Sequence, residues 1–513
     1  MDGSLSTIEE LLTEVRRGPS GPRVGAFFDF DGTLIDGFSA YAYWRDRLRR
    51  RQVAFDELIR SLAAGLEMEL RGADVTRLID LASGALAGRP EDELEQTAQR
   101  LFVQELARLI YPEARELVRA HQRMGHTVVI ATSATRYQAA HVAGDLGIEH
   151  ILASELEVEN GVFTGRREGD VLWGPNKARA VREFASGRRI ALPRSHAYAN
   201  GDEDVDFLKA VGHPHALNPG SRLAAEARER GWSVTRFPGR TAPDLVAVAR
   251  TGAAIGALGL GLAAGLAVRL LNGDERQSGA VASAVGAELA LGLAGVRVNV
   301  VGEHHAWSQR PAVFVFNHQS SLDMLVIAQL LRHDLGGVAK KELRFDPLFG
   351  PISLVVPIAY VDRSNSVSAR EALRPVVAKL REGISFAIAP EGTRSPTRRL
   401  GRFKKGAFHI AMQAGVPIVP IVIRNAGDLM WRNSMVARSG TIDVRVLPPV
   451  STASWSASEL NARVAEFQQR YQEVLDDWPG PPDGDLERAP DALTAPGRVA
   501  ANGQGRRRSA ARA

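Results

Sequence analysis

The 513-residue sequence contains no cysteine. That excludes a disulfide framework, a thiolate nucleophile and any cysteine-ligated zinc or iron–sulfur site. The first 20 residues, MDGSLSTIEELLTEVRRGPS, have no apolar stretch and carry four acids and two arginines, so they do not read as a secretory signal. Charge of one sign is not in large excess: 64 basic against 59 acidic side chains leave a net charge of +5. This rules out a histone-like polycation and leaves room for a local basic patch. No solenoid-type repeat stands out. What is present is an ordinary globular composition, 45% hydrophobic and 24% charged. At this length two or three domains are expected.

One long uncharged run interrupts the chain. Residues 251–268 (TGAAIGALGLGLAAGLAV) lie between Arg250 and Arg269 without a charge. A helix of that run would span about 27 Å, just short of a hydrocarbon core. Gly252/Gly256 and Gly261/Gly265 have the spacing of close helix contacts. Residues 278–295 form a second apolar stretch with a single acid, Glu288. Together they predict a helix pair that enters or lies in a membrane, with two buried helices of a soluble linker as the alternative.

On either side of this connector, apolar strand-like runs alternate with helical patterns, the signature of α/β domains. Residues 24–28, 127–131 and 196–199 read as parallel strands whose carboxyl ends carry polar residues, where α/β sheets place their chemistry. Residues 39–123 are helix-rich and read as a cap inserted after the first strand. Beyond the connector, residues 312–316, 384–389 and 417–423 read as strands of a second domain. The expected divisions are 22–240, 241–295 and 296–478, with a disordered Pro-, Gly- and Arg-rich tail over 479–513.

In the first domain, FFDFDGTLI places Asp29 and Asp31 at a strand end, with Gly32 permitting a sharp exit turn. Two carboxylates so close repel unless a cation or shared proton lies between them, and Mg²⁺ suits an all-oxygen site that also takes substrate phosphate. A carboxylate can attack phosphorus, and its neighbour can protonate the leaving alkoxide. Thr132 and Ser133 offer hydroxyls to a phosphoryl oxygen, and Lys177 offers a fixed cation. Asp202, Asp204 and Asp206, in NGDEDVD, are candidates for metal ligands or their supports.

In order, these motifs resemble the haloacid dehalogenase superfamily, in its phosphoserine-phosphatase-like branch with a helical cap. The resemblance implies a Rossmann-like domain with Asp29 as nucleophile and Asp31 as general acid/base. It implies Thr132 on the phosphoryl oxygen, with Ser133 as the off-by-one alternative, and Lys177 steadying the phosphoaspartate. It further implies Mg²⁺ held by Asp29, Asp31 and Asp202, with Asp206 in support. Glu203 stands where many relatives carry Ser.

In the second domain, AVFVF leads into NHQSSLD. A helix starting near Ser320 or Ser321 puts Asp323 in its first turn, able to reach back to His318. The acid would fix one ring nitrogen and leave the other as a base. PEGTRS follows the run ISFAIA, and six cations without an acid occupy residues 394–405, next to a Gly-containing loop suited to phosphate. With YVDR (residues 360–363) and VPIVPI (residues 416–421), these blocks resemble the glycerolipid acyltransferases, notably the 1-acylglycerol-3-phosphate acyltransferases.

That resemblance implies a separate α/β domain in which His318 deprotonates lysophosphatidate and Asp323 orients His318. Glu391, Gly392, Thr393 and Arg394 would bind the glycerol-phosphate end, with Arg363 and Lys404 helping. The acyl donor would be acyl-CoA or acyl-carrier protein. The whole chain then resembles bacterial phospholipid-synthesis fusions: a bifunctional enzyme on the cytoplasmic face of the cell membrane, touching membrane lipids but no nucleic acid. The alternative is an acyltransferase whose N-terminal domain binds phosphate for regulation without turnover.

Overall fold

The computed structural model describes residues 6–51, 76–241, 243–346, 350–361 and 366–478. Part of the expected cap, Arg363 and the expected tail over 479–513 lie outside these residues. Among the described residues there are two seven-stranded mixed sheets. The first comprises β1 (Gly25–Phe28), β2 (Thr127–Thr135), β3 (His150–Glu159), β4 (Val162–Glu168), β5 (His196–Ala199), β6 (His213–Leu217) and β7 (Ser233–Thr235). Its order is β4-β3-β2-β1-β5-β6-β7.

β1 is central and parallel to both neighbours. A strand covered on both faces must be apolar throughout, and all four of its residues are buried. Ala26 and Phe28 face one core cluster with Ile130 and Tyr198. Phe27 faces the other, with Val129 and Ala197. Only β3 and β4 pair antiparallel in this sheet. Their turn, Asn160–Gly161, takes φ +52° and +77°, the left-handed pair a two-residue hairpin requires. Helices Ser39–Arg49 and Glu91–Gln104 stand after β1 and are tied by Arg100 Nη2 to Asp46 Oδ2 at 2.8 Å.

The second sheet comprises β8 (Val296–Val301), β9 (Val313–Phe316), β10 (Leu335–Lys340), β11 (Ile358–Val361), β12 (Ser385–Ile388), β13 (Ile418–Ile423) and β14 (Gly440–Val446). Its order is β11-β10-β12-β9-β13-β14-β8. β9 lies between β12 and β13, parallel to each, and is fully buried.

Between the sheets, the apolar runs form two helices, Leu245–Asn272 and Glu275–Leu293. Asp244 and Asp274 cap their N-termini by accepting backbone N–H bonds, and Gly273 ends the first helix at φ +69°. The pair closes on small residues: a Cβ on Gly261 would lie 2.4 Å from the Gly286 Cα, and one on Gly265 2.7 Å from the Ala282 Cβ. Gly252 and Gly256, expected as a second contact, have open space around them. Ala254, Ala257, Ala290 and Leu291 share a core cluster with Phe314 and Val444 of the second sheet. The helix pair thus covers one face of that sheet.

Candidate active sites

Asp29 follows β1 directly, its N–H donating to the Tyr198 carbonyl at 2.9 Å. It is buried, and Lys177 Nζ donates to its Oδ1 at 2.6 Å and to Asp204 Oδ1 at 2.8 Å. Burial disfavours the Lys177 charge, but the carboxylates of Asp204 and Asp29 outweigh that and keep the ammonium protonated. Asp31 accepts from Ser39 N (2.7 Å) and Ser39 Oγ (3.1 Å). Burial, opposed by these Ser39 bonds and assisted by Asp29, pushes its carboxyl up to about 7. A carboxyl so raised can carry a proton near neutrality, as a general acid must. Gly32, at φ +76°, has no room for a Cβ, which would meet the Asn200 amide at 2.2 Å.

Asn200 completes this centre. Its inward amide atom lies 3.0 Å from Asp29 Oδ2, 2.9 Å from the Asp31 carbonyl and 3.1 Å from Thr33 Oγ1. With nitrogen inward it donates to these oxygens. With oxygen inward it accepts from Thr33 Oγ1 and stands with Asp29 Oδ2 and the Asp31 carbonyl in an all-oxygen cluster, and in that orientation the donor set fits a hard cation such as Mg²⁺.

The acidic NGDEDVD segment divides differently from the resemblance. Asp204, on the short turn after β5, is the acid that reaches Lys177. Asp202 is exposed and accepts from Leu223 N at 2.7 Å, capping the following helix, and Asp206 is exposed. Residues two apart on a helical turn project to nearly opposite sides, so once Asp204 faces inward, Asp202 and Asp206 face out. The expected metal roles for Asp202 and Asp206 are corrected accordingly. Asn200 and Asp204 take the inward positions.

Of the two hydroxyls, Thr132 is 1% exposed and accepts from Ala134 N at 3.0 Å. By strand alternation it shares the face of Ile130, which packs with Phe28 and Phe30. Ser133 projects to the opposite face and is partly exposed.

In the second domain, Asn317 fastens the end of β9 to β13: its Nδ2 donates to the Ile423 carbonyl and its Oδ1 accepts from Ile423 N, each at 2.7 Å. The next residue, His318, brings Nδ1 to 2.9 Å from Asp323 Oδ2. That oxygen also accepts from Gln319 N (2.7 Å) and Ser320 N (2.8 Å), and Asp323 is fully buried in the first turn of helix Leu322–Leu331. With Nδ1 donating to this carboxylate, the Nε2 lone pair is left for a substrate proton.

The loop after β12 meets this pair. His318 N–H donates to Glu391 Oε1 at 2.8 Å, and Ser395 N–H donates to the His318 carbonyl at 2.7 Å. Arg394 Nη1 donates to Ser321 Oγ at 2.7 Å. Gly392 turns at φ +76°, and Lys404 Nζ lies 2.9 Å from where its Cβ would be. Thr393 is exposed beside them.

Glu391, expected to bind substrate, is turned into the protein. It is 5% exposed, and His318 N–H, Ser395 Oγ and Gly401 N–H occupy its oxygens. A carboxylate would also repel phosphate; this one instead holds the two loops together. The basic run is likewise divided. Arg398 pairs with Asp428 and lies over the Trp431 ring at 5.7 Å, while Arg399 donates to the Gly144 carbonyl of the first domain. Sequence reading also passed over Asn317 and Ser321, for which the NHQSSLD block was the available signal.

Comparison with known proteins gives a match for each half. The family model for haloacid dehalogenase-like hydrolases matches residues 26–209, and that for acyltransferases matches residues 297–424. The chain is 35% identical over 272 residues to phosphoserine phosphatase SerB1 of Mycobacterium tuberculosis, covering 51% of this chain and 84% of that protein. It is 37% identical over 175 residues to the 1-acyl-sn-glycerol-3-phosphate acyltransferase of Cocos nucifera, covering 34% of this chain and 56% of that protein. Among solved structures, the 1-acyl-sn-glycerophosphate acyltransferase of Thermotoga maritima is 24% identical, with a TM-score of 0.39, covering 45% of this chain and 98% of that one.

Proposed function

We propose, for a chain that belongs to the haloacid dehalogenase-like hydrolases through its N-terminal half and carries an acyltransferase domain in its C-terminal half, that it acylates lysophosphatidate to phosphatidate and hydrolyses a phosphomonoester. The working division is 22–240 for the hydrolase, 241–295 for the connector and 296–478 for the acyltransferase.

The observation that carries the acyltransferase reading is the 2.9 Å His318–Asp323 contact, on a loop bonded to the one that bears Arg394. His318 Nε2 takes the proton of the acceptor hydroxyl, whose oxygen attacks the carbonyl of an acyl thioester. The tetrahedral adduct collapses, the C–S bond breaks, and the thiolate leaves and takes up the proton. Arg394 holds the acceptor phosphate, with Lys404 and the Gly392–Thr393 turn beside it. Glu391 is a positioning residue for both loops.

In the hydrolase half, Asp29 attacks phosphorus and Asp31 gives its proton to the leaving oxygen. Asp31 then takes a proton from the water that cleaves the phosphoaspartate. Lys177 offsets charge on Asp29 and is itself held by Asp204, and Thr132, with Ser133 as the alternative, offers the hydroxyl for a phosphoryl oxygen. Asp29, the Asp31 carbonyl and Asn200 would hold Mg²⁺, which supplies neutralising charge between nucleophile and phosphate. The similarity to a phosphoserine phosphatase supports phosphoserine as the first substrate to assay, with phospholipid monoesters as the alternative.

The helix pair supports a membrane location, since Leu260, Leu270 and Leu271 are 65%, 86% and 86% exposed; the cytoplasmic side is proposed because acyl thioesters and Mg²⁺ are available there. The first helix, at 28 residues, is long and apolar enough to cross a bilayer, and its partner fixes it to the acyltransferase sheet.

Labelled lysophosphatidate and acyl-CoA should yield labelled phosphatidate. Arg394→Ala should raise the acceptor KM by about 10- to 100-fold, the range of a lost charged hydrogen bond, with the donor KM little changed. Equal increases in both would refute the phosphate role.

A further inference from the structure

Both active sites lie at carboxyl ends of strands. At the opposite, amino-terminal edge of the first sheet, β5 and β6 begin with His196 and His213, which are register partners. His215 follows two residues on and shares the His213 face. Against them packs helix Ile8–Arg17, which brings Glu14. Neither proposed reaction uses any of these residues.

We infer that Glu14, His196 and His213 form a binding site for a divalent transition-metal ion of the zinc class. One donor atom from each lies within 4.8 Å of the others. The closest approaches are Glu14 Oε1 to His213 Nδ1 at 3.1 Å and to His215 Nε2 at 3.7 Å. His215 Nε2 lies 3.2 Å from His196 Nδ1. Ligand bonds of 2.0–2.1 Å in a tetrahedral site imply donor separations of about 3.4 Å, so Glu14 and His213 already stand near ligand spacing, and His196, within 4.8 Å of both, closes on them when an ion is shared.

A second observation is independent of that spacing. His196 Nε2 is buried and has no hydrogen-bond partner. A buried nitrogen in that state is costly, and turning the ring so that this nitrogen meets a metal ion, with Nδ1 and Nε2 exchanged, removes the cost. Burial, followed by the neighbouring His213 and His126, pushes His196 down to about 3, so the ring is in the neutral form that binds metals.

Imidazole donors select zinc, nickel or copper over magnesium and calcium. Glu14 and His213 are each 40% exposed at the side chain, which leaves the ion a route in from solvent. His215, whose Nδ1 lies 2.5 Å from Ser233 Oγ, stands beside Glu14 and His196 as an outer contact that helps hold the ligands in place. An ion here would staple the first helix to β5 and β6. The site is therefore structural, and its binding does not depend on which reactions the two active sites perform.

The test is calorimetric titration of the chelator-treated full chain with Zn²⁺ in excess Mg²⁺, which keeps the Asp29 centre filled. Wild type should bind one equivalent and melt at a higher temperature when loaded. Glu14→Gln and His213→Gln alter half-exposed side chains, and each should weaken binding by about 100-fold, at the upper end of second-sphere effects on metal sites, and abolish the thermal shift. Co²⁺ loaded under the same conditions should give the intense visible absorption of a tetrahedral site, absent in both variants. No stoichiometric binding, or binding that either variant retains within about tenfold, overturns the site.

Discussion

Whether an acid in a cluster is catalytic depends on which way its carbon–carbon bond points. In NGDEDVD three aspartates alternate, and the β5 exit turn admits only the middle one to Lys177. Asp204→Asn should lower phosphate release by about 100-fold or more, as expected when a buried charge partner is removed from an active centre. Asp206→Asn, an exposed change, should stay within about twofold. A steady-state phosphate assay on both variants checks this, and the reverse ranking would restore the reading made from sequence. Residue types at the sites were legible: the Asp29–Asp31 and His318–Asp323 pairs were read from their spacing together with the ordered motifs around them. Their partners were not. Asn200 has no charge to attract attention, and Glu391 was assigned to substrate by resemblance, whereas its oxygens are taken up by backbone and serine donors. Orientation within a turn of polar residues leaves no periodic trace in a sequence.

Among the elements, buried strands were the most legible, because a run apolar on both faces has few alternatives. The runs at 196–199 and 417–423 correspond to β5 and β13 within a residue. The β3–β4 hairpin went unread, although ELEVENGVFTGR carries an Asn-Gly turn between alternating strands. The small-residue spacings of the helix pair could be counted, but not assigned to a face. Gly261→Val should cost about 2–3 kcal/mol in chemical denaturation, because its side chain would meet the Gly286 backbone. Gly252→Ala, in open space, should instead stabilise by about 0.5–1 kcal/mol through helix propensity. Similar effects for the two would mean the helices do not meet at Gly261. The outer face makes a separate prediction. Wild type should float with vesicles containing anionic lipid, and a Leu270→Asp/Leu271→Asp variant should remain in solution. Flotation unaffected by the double change would remove this face from the membrane reading.

At the scale of the whole molecule, the two halves touch through polar contacts as well as through the chain. Arg424 pairs with Glu116, Arg438 Nη1 donates to the Gly239 carbonyl at 2.7 Å, and Trp431 packs against the first domain's core. Of the six cations in the expected phosphate-binding run, Arg399 turns out to bond across to the first domain, and Arg398 lies over Trp431, which packs against that domain's core. An interface between domains is the level least visible in a linear sequence, since its partners lie 199 to 308 residues apart and share no periodicity. The contact does not merge the chemistry: Asp29 depends on Lys177, Asp204 and Asn200 of its own domain, and His318 on Asp323 and the 391–395 loop of the other. The most direct test of this account is to assay phosphatidate formation and phosphomonoester hydrolysis in parallel on one preparation each of wild type, Asp29→Asn and His318→Ala. Asp29→Asn should lose hydrolysis and keep acyl transfer, and His318→Ala should do the reverse. Phosphatidate formed at the wild-type rate by His318→Ala would contradict the account.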